Sequence, residues 1–396
     1  MSRLRIVFSV GGMHGGGAER QLVSILKHLD RQKFDPRLYL IYRTGDLLSE
    51  VPPDVPITAF EERYTGSRRP RILMHRRRVA DMASFLAETQ ADISYDRTFL
   101  MTLIAAEAAQ RVHVPNVSTI VTHPSIGFPA VAGRHQWLKR RILNRLYRRS
   151  SAVLANSQGA ADDATSFYRL PDGTVQVMPN GIDVERIREL AEQPVSDDWW
   201  NSSGTDRPVI RLVTAGRLGE LKGFHLLIQA VERLRHDLPD LCLRLAILGE
   251  GDWRDRLQKQ IQQAGLNESV RLIGFRHDAP AWYASADLFV LPSLLEGMPN
   301  VLLESLICGT PVVSADCPSG PRELLQDERF GTLCPINDST ALATAIRQVL
   351  TSSDLGKAQV TKAAAWIQEQ YDVHVIVRRL EQLFTTIAAR RRTTSA

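Results

Sequence analysis

Four cysteines in 396 residues (Cys242, Cys308, Cys317 and Cys334), none in a CxxC pair, leave no framework for disulfides or a zinc site. They read as the reduced thiols of a cytoplasmic protein. No apolar run approaches the roughly 18–20 residues of a membrane-spanning helix. The opening run LRIVFSV is short and ends in glycines, so it reads as a first core strand rather than a secretory leader. There is no zinc finger, no RNA-binding signature and no strand that interleaves aromatic with basic residues, which argues against nucleic acid as a partner. Neither GxxxxGK[ST] nor GxGxxG occurs, so nucleotide hydrolysis and dinucleotide binding are poorly supported.

What is present is an ordinary globular composition, 44% hydrophobic and 23% charged, at a length that suits two domains. The net charge of +5 is unevenly spread: residues 1–180 hold 25 Lys/Arg against 16 Asp/Glu, and residues 181–396 hold 24 against 28. A basic first half points to an anionic partner, either a membrane surface or a phosphorylated substrate. Short Val/Ile/Leu-rich runs alternate with amphipathic runs, as expected of parallel sheets covered on both faces. The first half offers LRIVFSV, RLYLIY, PITAF, ADISYD, NVSTIVT, AVLANS and VQVMPN. The second offers VIRLVTAG, LRLAILG, VRLIGF, LFVLP, PVVSAD and GTLCP. Between the two series, PVSDDWWNSSGTDRP (194–208) is polar and bounded by prolines, and it reads as a linker. The expectation is α/β: two doubly wound Rossmann-like domains, 1–193 and 209–373, with a cleft between them. A C-terminal helix over 374–396 could pack on either one.

In such sheets ligands bind beyond the carboxyl ends of the strands. The first strand is followed by GGMHGGGAER, either a flexible turn or a place where backbone N–H groups approach an anion. The first strand of the second half is followed by GRLGELKG. Arg217 and Lys222 there oppose a helix dipole unless an anion joins them, and a diphosphate would suit both side chains; a solvated basic loop is the alternative. The fourth strand of that half runs into EGMPNVLLE, with Pro299 in a helix's first turn. Glu296 then precedes the helix and Glu304 lies about one turn inside it. They do not share a helical face, so the roughly 5–10 Å carboxylate pair of a glycosidase cannot be assumed. A ligand along this helix entry meets a carboxylate, the amides of Met298, Asn300 and Val301, then a second carboxylate. That series of partners fits a sugar, a diphosphate and a ribose in a row.

With these residues assembled, the chain resembles the retaining nucleotide-sugar glycosyltransferases of family 4, which have the GT-B fold. The resemblance covers nearly the whole length: GGGAERQL, THPS, NSQGAADD, PNGID, GRLGELKG, LGEGDWR, LIGF and EGMPNVLLESLICGTPVVSADCPSGPREL. It implies that Arg217 and Lys222 hold the donor diphosphate. Glu296 would hold donor-sugar hydroxyls and Glu304 the ribose. The stretch Met298, Pro299, Asn300 and Val301 would face sugar and phosphate, and Gly16 and Gly17 would close on the diphosphate. His123 would contact the donor sugar, and Phe275 and Arg276 would lie where backbone groups read the base. It also implies no metal and no other cofactor, and no Asp-x-Asp stands at a strand end. No side-chain nucleophile is implied.

The segment PNVLLESLICGTPVVSADCPSGPREL is most similar to the subgroup that builds bacterial surface polysaccharides and polyprenyl-diphosphate-linked glycans. That resemblance implies a UDP-hexose or UDP-N-acetylhexosamine donor, with a GDP-sugar as the alternative, and a glycan or lipid-linked acceptor. The run QWLKRRILNRLYRR (136–149) reads as a helix with Leu138, Ile142, Leu143, Leu146 and Tyr147 on one half. Arg140, Arg141, Arg145 and Arg148 lie on the other half, with Trp137 among them. A Trp among arginines suits an anionic lipid headgroup zone. RYTGSRRPRILMHRRR (63–78) adds seven arginines. The expected location is therefore the inner face of the cell membrane, peripherally bound. Two other readings stay open: a sugar-nucleotide 2-epimerase of the same fold, and a non-catalytic sugar-nucleotide-binding protein.

Overall fold

A computed structural model describes residues 3–64, 71–202 and 206–394. The chain divides into two units, one formed by Met1–Gly181 with Val373–Ala396 and the other by Ile182–Asp372. In the first, seven strands form one sheet: β1 Leu4–Val10, β2 Phe34–Leu40, β3 Ile57–Ala59, β4 Ile93–Arg97, β5 Asn116–Ile120, β6 Ala152–Ala155 and β7 Val175–Val177. Their order is β3-β2-β1-β4-β5-β6-β7, with every pairing parallel. The second unit holds β8 Val209–Ala215, β9 Cys242–Leu248, β10 Val270–Gly274, β11 Leu288–Leu291, β12 Val312–Ala315 and β13 Thr332–Cys334. Here the order is β10-β9-β8-β11-β12-β13, again parallel throughout. Each expected strand is present. Central runs such as β6 and β11 are buried on both faces because crossover helices cover both sides of a parallel sheet, whereas the edge strand β7 leaves Gln176 and Val177 exposed.

The chain passes from one unit to the other at Gly181/Ile182 and Asp372/Val373 rather than at the polar stretch 194–208. Helix Val184–Ala191, capped by Asp183 (Oδ1 to Arg186 N, 2.9 Å), buries Val184 and Ile187 and packs on helix Ala279–Ala284. The stretch expected to be a linker holds helix Asp198–Asn201, whose Trp200 is fully buried. The Trp200 ring lies 5.1 Å from that of Trp282, and its indole N–H donates to Ser285 Oγ at 2.8 Å. One aromatic anchor fixes a segment whose other letters are polar. The last helix, Val373–Thr394, sends Val373, Val377, Leu380, Phe384 and Ile387 into the core beneath β1 in the first unit. Phe384 meets Phe8, Phe34 and Tyr95 edge-on.

One polar node in the first unit is unusual. Asp96, wholly buried, accepts from Thr102 Oγ1 (2.5 Å), Asn116 Nδ2 (3.0 Å) and Ser118 Oγ (2.9 Å). Burial pushes its carboxyl up to about 6, against the three hydrogen bonds. An acid raised in the folded state stabilises the fold fully below its unfolded value near 4. That contribution is lost as pH rises through about 6 and amounts to roughly 3 kcal/mol. Asp96→Asn should therefore flatten the fall in denaturation midpoint between pH 4 and pH 7. Parallel pH profiles for the two proteins would show that Asp96 does not carry this load.

Candidate active site

In the second unit the chain starts at β8, winds out to β9 and β10, then returns to place β11 on the other side of β8. Strand order therefore reverses between β8 and β11, which is where an open α/β sheet leaves a crevice for ligands. The loops after these two strands are joined. Leu294 N donates to Leu221 O at 2.8 Å. Gly223, left-handed at φ +66°, lies so close to Pro292 that a Cβ would sit 2.0 Å from its carbonyl oxygen. No other residue fits there without moving one of the loops.

This join brings together two side chains 74 residues apart: Lys222 Nζ donates to Glu296 Oε1 at 2.6 Å. Ser293 Oγ donates to the same oxygen at 2.7 Å. Glu296 is 8% exposed and the Lys222 side chain 29% exposed, so the pair sits at the mouth of the crevice with its carboxylate inward. The sequence separated these residues into a sugar end and a phosphate end. The structure makes them one charge-assisted unit, and adds Ser293, which stands three residues before Glu296 in PSLLEG. Arg217, just beyond the end of β8, is exposed and makes no hydrogen bond or ion pair among the described residues. One cation is thus anchored and the other is available to a ligand.

Helix Asn300–Ile307 begins one residue later than expected, with Pro299 at the N-cap instead of the first turn and no side chain capping it. Gly320, left-handed at φ +92°, holds the loop after β12 against this entry; its Cβ would lie 2.5 Å from Pro299 Cδ. Met298 and Pro299 are buried, Asn300 and Val301 half-buried. Glu304 is half-buried in the helix, one turn before Cys308. Burial first, then the Glu304 charge, pushes the Cys308 thiol up to about 12. Cys317 is likewise raised to about 12, by burial and then by Glu296, with Lys222 opposing. Cys334, raised to about 12 by burial, completes a set of protonated thiols that supply no nucleophile.

At the end of β10, Phe275 is exposed, whereas the Arg276 guanidinium is held bidentately by Asp278 (2.8 and 2.7 Å). That pairing holds the Asp278 carboxyl below its usual range and leaves the backbone, not the side chain, of Arg276 for a ligand. In the first unit, Gly16 is the N-cap of helix Gly17–His28. His123 precedes helix Pro124–Ala132, with Nδ1 3.0 Å from Asp163 Oδ2 and 3.2 Å from Ser125 Oγ. Ser125 N donates to the same Asp163 oxygen at 2.7 Å. A carboxylate at Nδ1 fixes the ring and favours the tautomer that presents Nε2 as an acceptor. Asp163 had no signal in the sequence beyond standing in NSQGAADD.

The basic helix is Gln136–Arg149, at the bounds expected. Leu143, Leu146 and Tyr147 are buried, but Leu138 is 43% exposed and does not join them. Arg140 departs from the outward set as well: its Nε donates to Phe167 O at 2.5 Å and its guanidinium stacks 4.3 Å from the Phe167 ring. Helix Gln158–Tyr168 ends alongside and supplies these partners, which a helical wheel of one segment cannot show. Arg148 reaches the Arg169 carbonyl, while Arg141, Arg145 and Trp137 stay exposed along an open groove of about 870 Å³. Of the seven arginines in 63–78, Arg63 pairs with Asp81 and Glu88, Arg77 with Tyr64, and Arg78 with Tyr42. Arg68 and Arg69 lie outside the described residues. Among the described residues no helix is long and apolar enough to cross a membrane.

Comparison with known proteins places these features. Residues 15–186 match Glycosyltransferase Family 4, and residues 209–352 match Glycosyl transferases group 1. The chain is 32% identical over 224 residues to the N-acetylgalactosamine-N,N'-diacetylbacillosaminyl-diphospho-undecaprenol 4-alpha-N-acetylgalactosaminyltransferase of Campylobacter jejuni, covering 56% of this chain and 57% of that protein. It is 39% identical over 209 residues to the lipopolysaccharide core biosynthesis glycosyltransferase LpsE of Rhizobium meliloti, covering 53% and 56%. It thus spans little more than half the length of these relatives. The crystal structure of Anabaena HepE in complex with UDP-glucose superposes with a TM-score of 0.77 at 23% identity, over 97% of this chain and all of that one. This likeness shows the GT-B fold.

Proposed function

Since the chain belongs to the family 4 glycosyltransferases, with a group 1 glycosyl transferase domain in its second unit, we propose that it moves a hexose or N-acetylhexosamine from a UDP-sugar to a growing surface glycan, with retention. A GDP-sugar is the alternative donor. The observation that carries this reading is the Lys222–Glu296 pair at the point where strand order reverses in the second unit. Lys222 and Arg217 meet the diphosphate, and Glu296 meets the donor sugar beside it. Glu304 meets the ribose, and the amides of the Asn300–Ile307 helix entry lie between. The backbone at Phe275 and Arg276 meets the base.

In the transfer, the bond from the anomeric carbon to the diphosphate oxygen breaks. The acceptor hydroxyl attacks the same face, and its proton passes to the departing phosphate oxygen. The positive charges of Lys222 and Arg217 stabilise the charge that develops on that oxygen, which is the role a metal ion would otherwise fill. Glu296 orients the sugar: one of its oxygens is already committed to Lys222 and Ser293.

The acceptor we infer is a glycan on a polyprenyl diphosphate, at the inner face of the cell membrane. The Campylobacter relative is named for a diphospho-undecaprenol acceptor, and the exposed Trp137, Arg141, Arg145 and Arg148 suit an anionic headgroup layer. The test is a transfer assay with labelled UDP-sugars and a polyprenyl-diphosphate glycan in vesicles, run with EDTA. Transfer should persist in EDTA with the anomeric configuration retained. It should need anionic lipid, weaken with salt, and drop when Trp137, Arg141, Arg145 and Arg148 are changed together. Stoichiometric epimer formed without acceptor, or loss of activity in EDTA, would count against this reading.

A further inference from the structure

In the first unit two neighbouring arginines of helix Arg71–Glu88 stand half-buried with no carboxylate partner among the described residues. Arg77 donates to the Tyr64 hydroxyl, and its guanidinium lies 4.7 Å over the Tyr64 ring. Arg78 donates to the Tyr42 hydroxyl at 2.6 Å, and lies 5.4 Å from the Tyr42 ring and 5.7 Å from that of Phe60. Its Nε is buried with no partner. Acids of the same region are committed elsewhere: Asp81 and Glu88 both go to Arg63, and Glu62 goes to Arg43. Phe60 and Tyr64 stack at 5.4 Å with 10° between their planes, so the two arginine–aromatic pairs form one continuous array. Rings and hydroxyls hold both guanidiniums in place without neutralising them, and each keeps N–H donors for an anion.

The array lies at the carboxyl ends of the strands, where open α/β sheets take ligands. Tyr42 stands two residues after β2, and Phe60 directly follows β3. Tyr42 N donates to Gly11 O at 3.0 Å and Met13 N to Thr44 O at 2.8 Å, so the loops after β1 and β2 are joined. Gly45, left-handed at φ +114°, makes the join possible: a Cβ there would sit 2.1 Å from Met13 O. The array therefore borders the place where strand order reverses between β1 and β4. Tyr42 is 45% exposed, so part of its ring is open to a ligand. An aromatic ring suits the C–H face of a sugar, and a guanidinium fork suits a carboxylate or phosphate.

We propose that Tyr42, Tyr64, Arg77 and Arg78 form a subsite in the first unit for an anionic sugar residue of the acceptor, one that carries a carboxylate or a phosphate. The proposal deepens the transferase reading, on which it rests, by giving the acceptor glycan a charge class. Half-buried and held by tyrosines, Arg77 and Arg78 do not extend as free cations toward a bilayer, unlike the exposed Arg141 and Arg145 of helix Gln136–Arg149. A hexuronate and a sugar phosphate present the same chemistry here, a compact anion on a sugar ring.

The experiment titrates the full chain with tetragalacturonate, glucose 6-phosphate and neutral maltotetraose at constant ionic strength, followed by saturation-transfer NMR. One or both anions should bind more tightly than maltotetraose, and the tighter of the two assigns the subsite to a uronate or to a sugar phosphate. Arg77→Gln with Arg78→Gln should weaken that binding at least about tenfold, as for loss of hydrogen bonds to a charged group. Arg78→Lys, which keeps the charge but not the fork, should retain part of the binding. Tyr42→Ala, at an exposed ring, should weaken it with little change in melting temperature. These two variants guard against a folding defect in the double one. Maltotetraose bound as tightly as the anions, no binding of either anion, or anion binding unaltered in the double variant would overturn the proposal. So would saccharide binding left intact while binding to anionic vesicles is lost, which would make the array a lipid-headgroup contact. UDP should raise the melting temperature of the double variant and the wild type alike. A missing UDP shift in both proteins counts against the donor assignment and leaves the saccharide titration to decide the subsite, so the two readings fail separately.

Discussion

Arg217→Ala and Lys222→Ala should each cut turnover of the nucleotide sugar roughly 10²-fold or more, the scale of losing one group that stabilises a developing oxyanion. The two should differ in stability. Arg217 is exposed and unpartnered among the described residues, so its removal should leave the melting temperature where it was. Lys222 neutralises a carboxylate that is 8% exposed. Removing it leaves Glu296, among the described residues, with the Ser293 hydroxyl alone, and an uncompensated buried charge costs about 3–5 kcal/mol when fully enclosed, less here at the crevice mouth. A double change, Lys222→Ala with Glu296→Gln, should recover much of that stability and none of the activity. Steady-state kinetics beside thermal melts decide it. Near-normal turnover in both single variants would remove the diphosphate role, and equal melting temperatures would contradict the coupling.

The second large effect is expected at Glu296. Glu296→Gln keeps the shape and an acceptor for Lys222 and Ser293, but loses the charge proposed to hold the donor sugar as its anomeric carbon shifts. The value of kcat should fall roughly 10- to 100-fold, with a smaller change in the donor KM, because only an interaction stronger in the transition state lowers kcat. Glu304→Ala should show the reverse, chiefly a raised donor KM, since the ribose proposed to meet it does not move during transfer. Trapping a covalent glycosyl adduct on Glu296 by mass spectrometry would overturn its orienting role.

The contrast between these residues also marks what could be read from the letters. The thirteen strands were legible as short Val/Ile/Leu-rich runs, unbroken in central strands buried on both faces such as β6 and β11 and interrupted by polar residues in β4, β5 and β7, and the helix entry at EGMPN was legible from its proline. The pairing of Lys222 with Glu296 was not, because 74 residues separate them and only the strand order brings their loops together. Ser293 is only three residues from Glu296, but a lone serine in a loop does not declare its acceptor. Trp200 was lost in a polar stretch because one buried ring makes no periodicity, although Asp197 before it is a capping residue. Arg140 and Leu138 were misplaced because a wheel drawn for one helix knows nothing of Phe167 on the next.

A nucleotide diphosphate is expected to occupy the crevice beyond β8 and β11. The measurement closest to that claim is a thermal-shift panel of UDP, GDP, ADP and their sugars against the wild type, Arg217→Ala and Lys222→Ala. A ligand at one hundred times its dissociation constant stabilises a fold by about 2.7 kcal/mol. The expected result is a clear shift with UDP and its sugars in the wild type, and little or none in either variant. No shift with any nucleotide, or shifts of equal size in all three proteins, would contradict it.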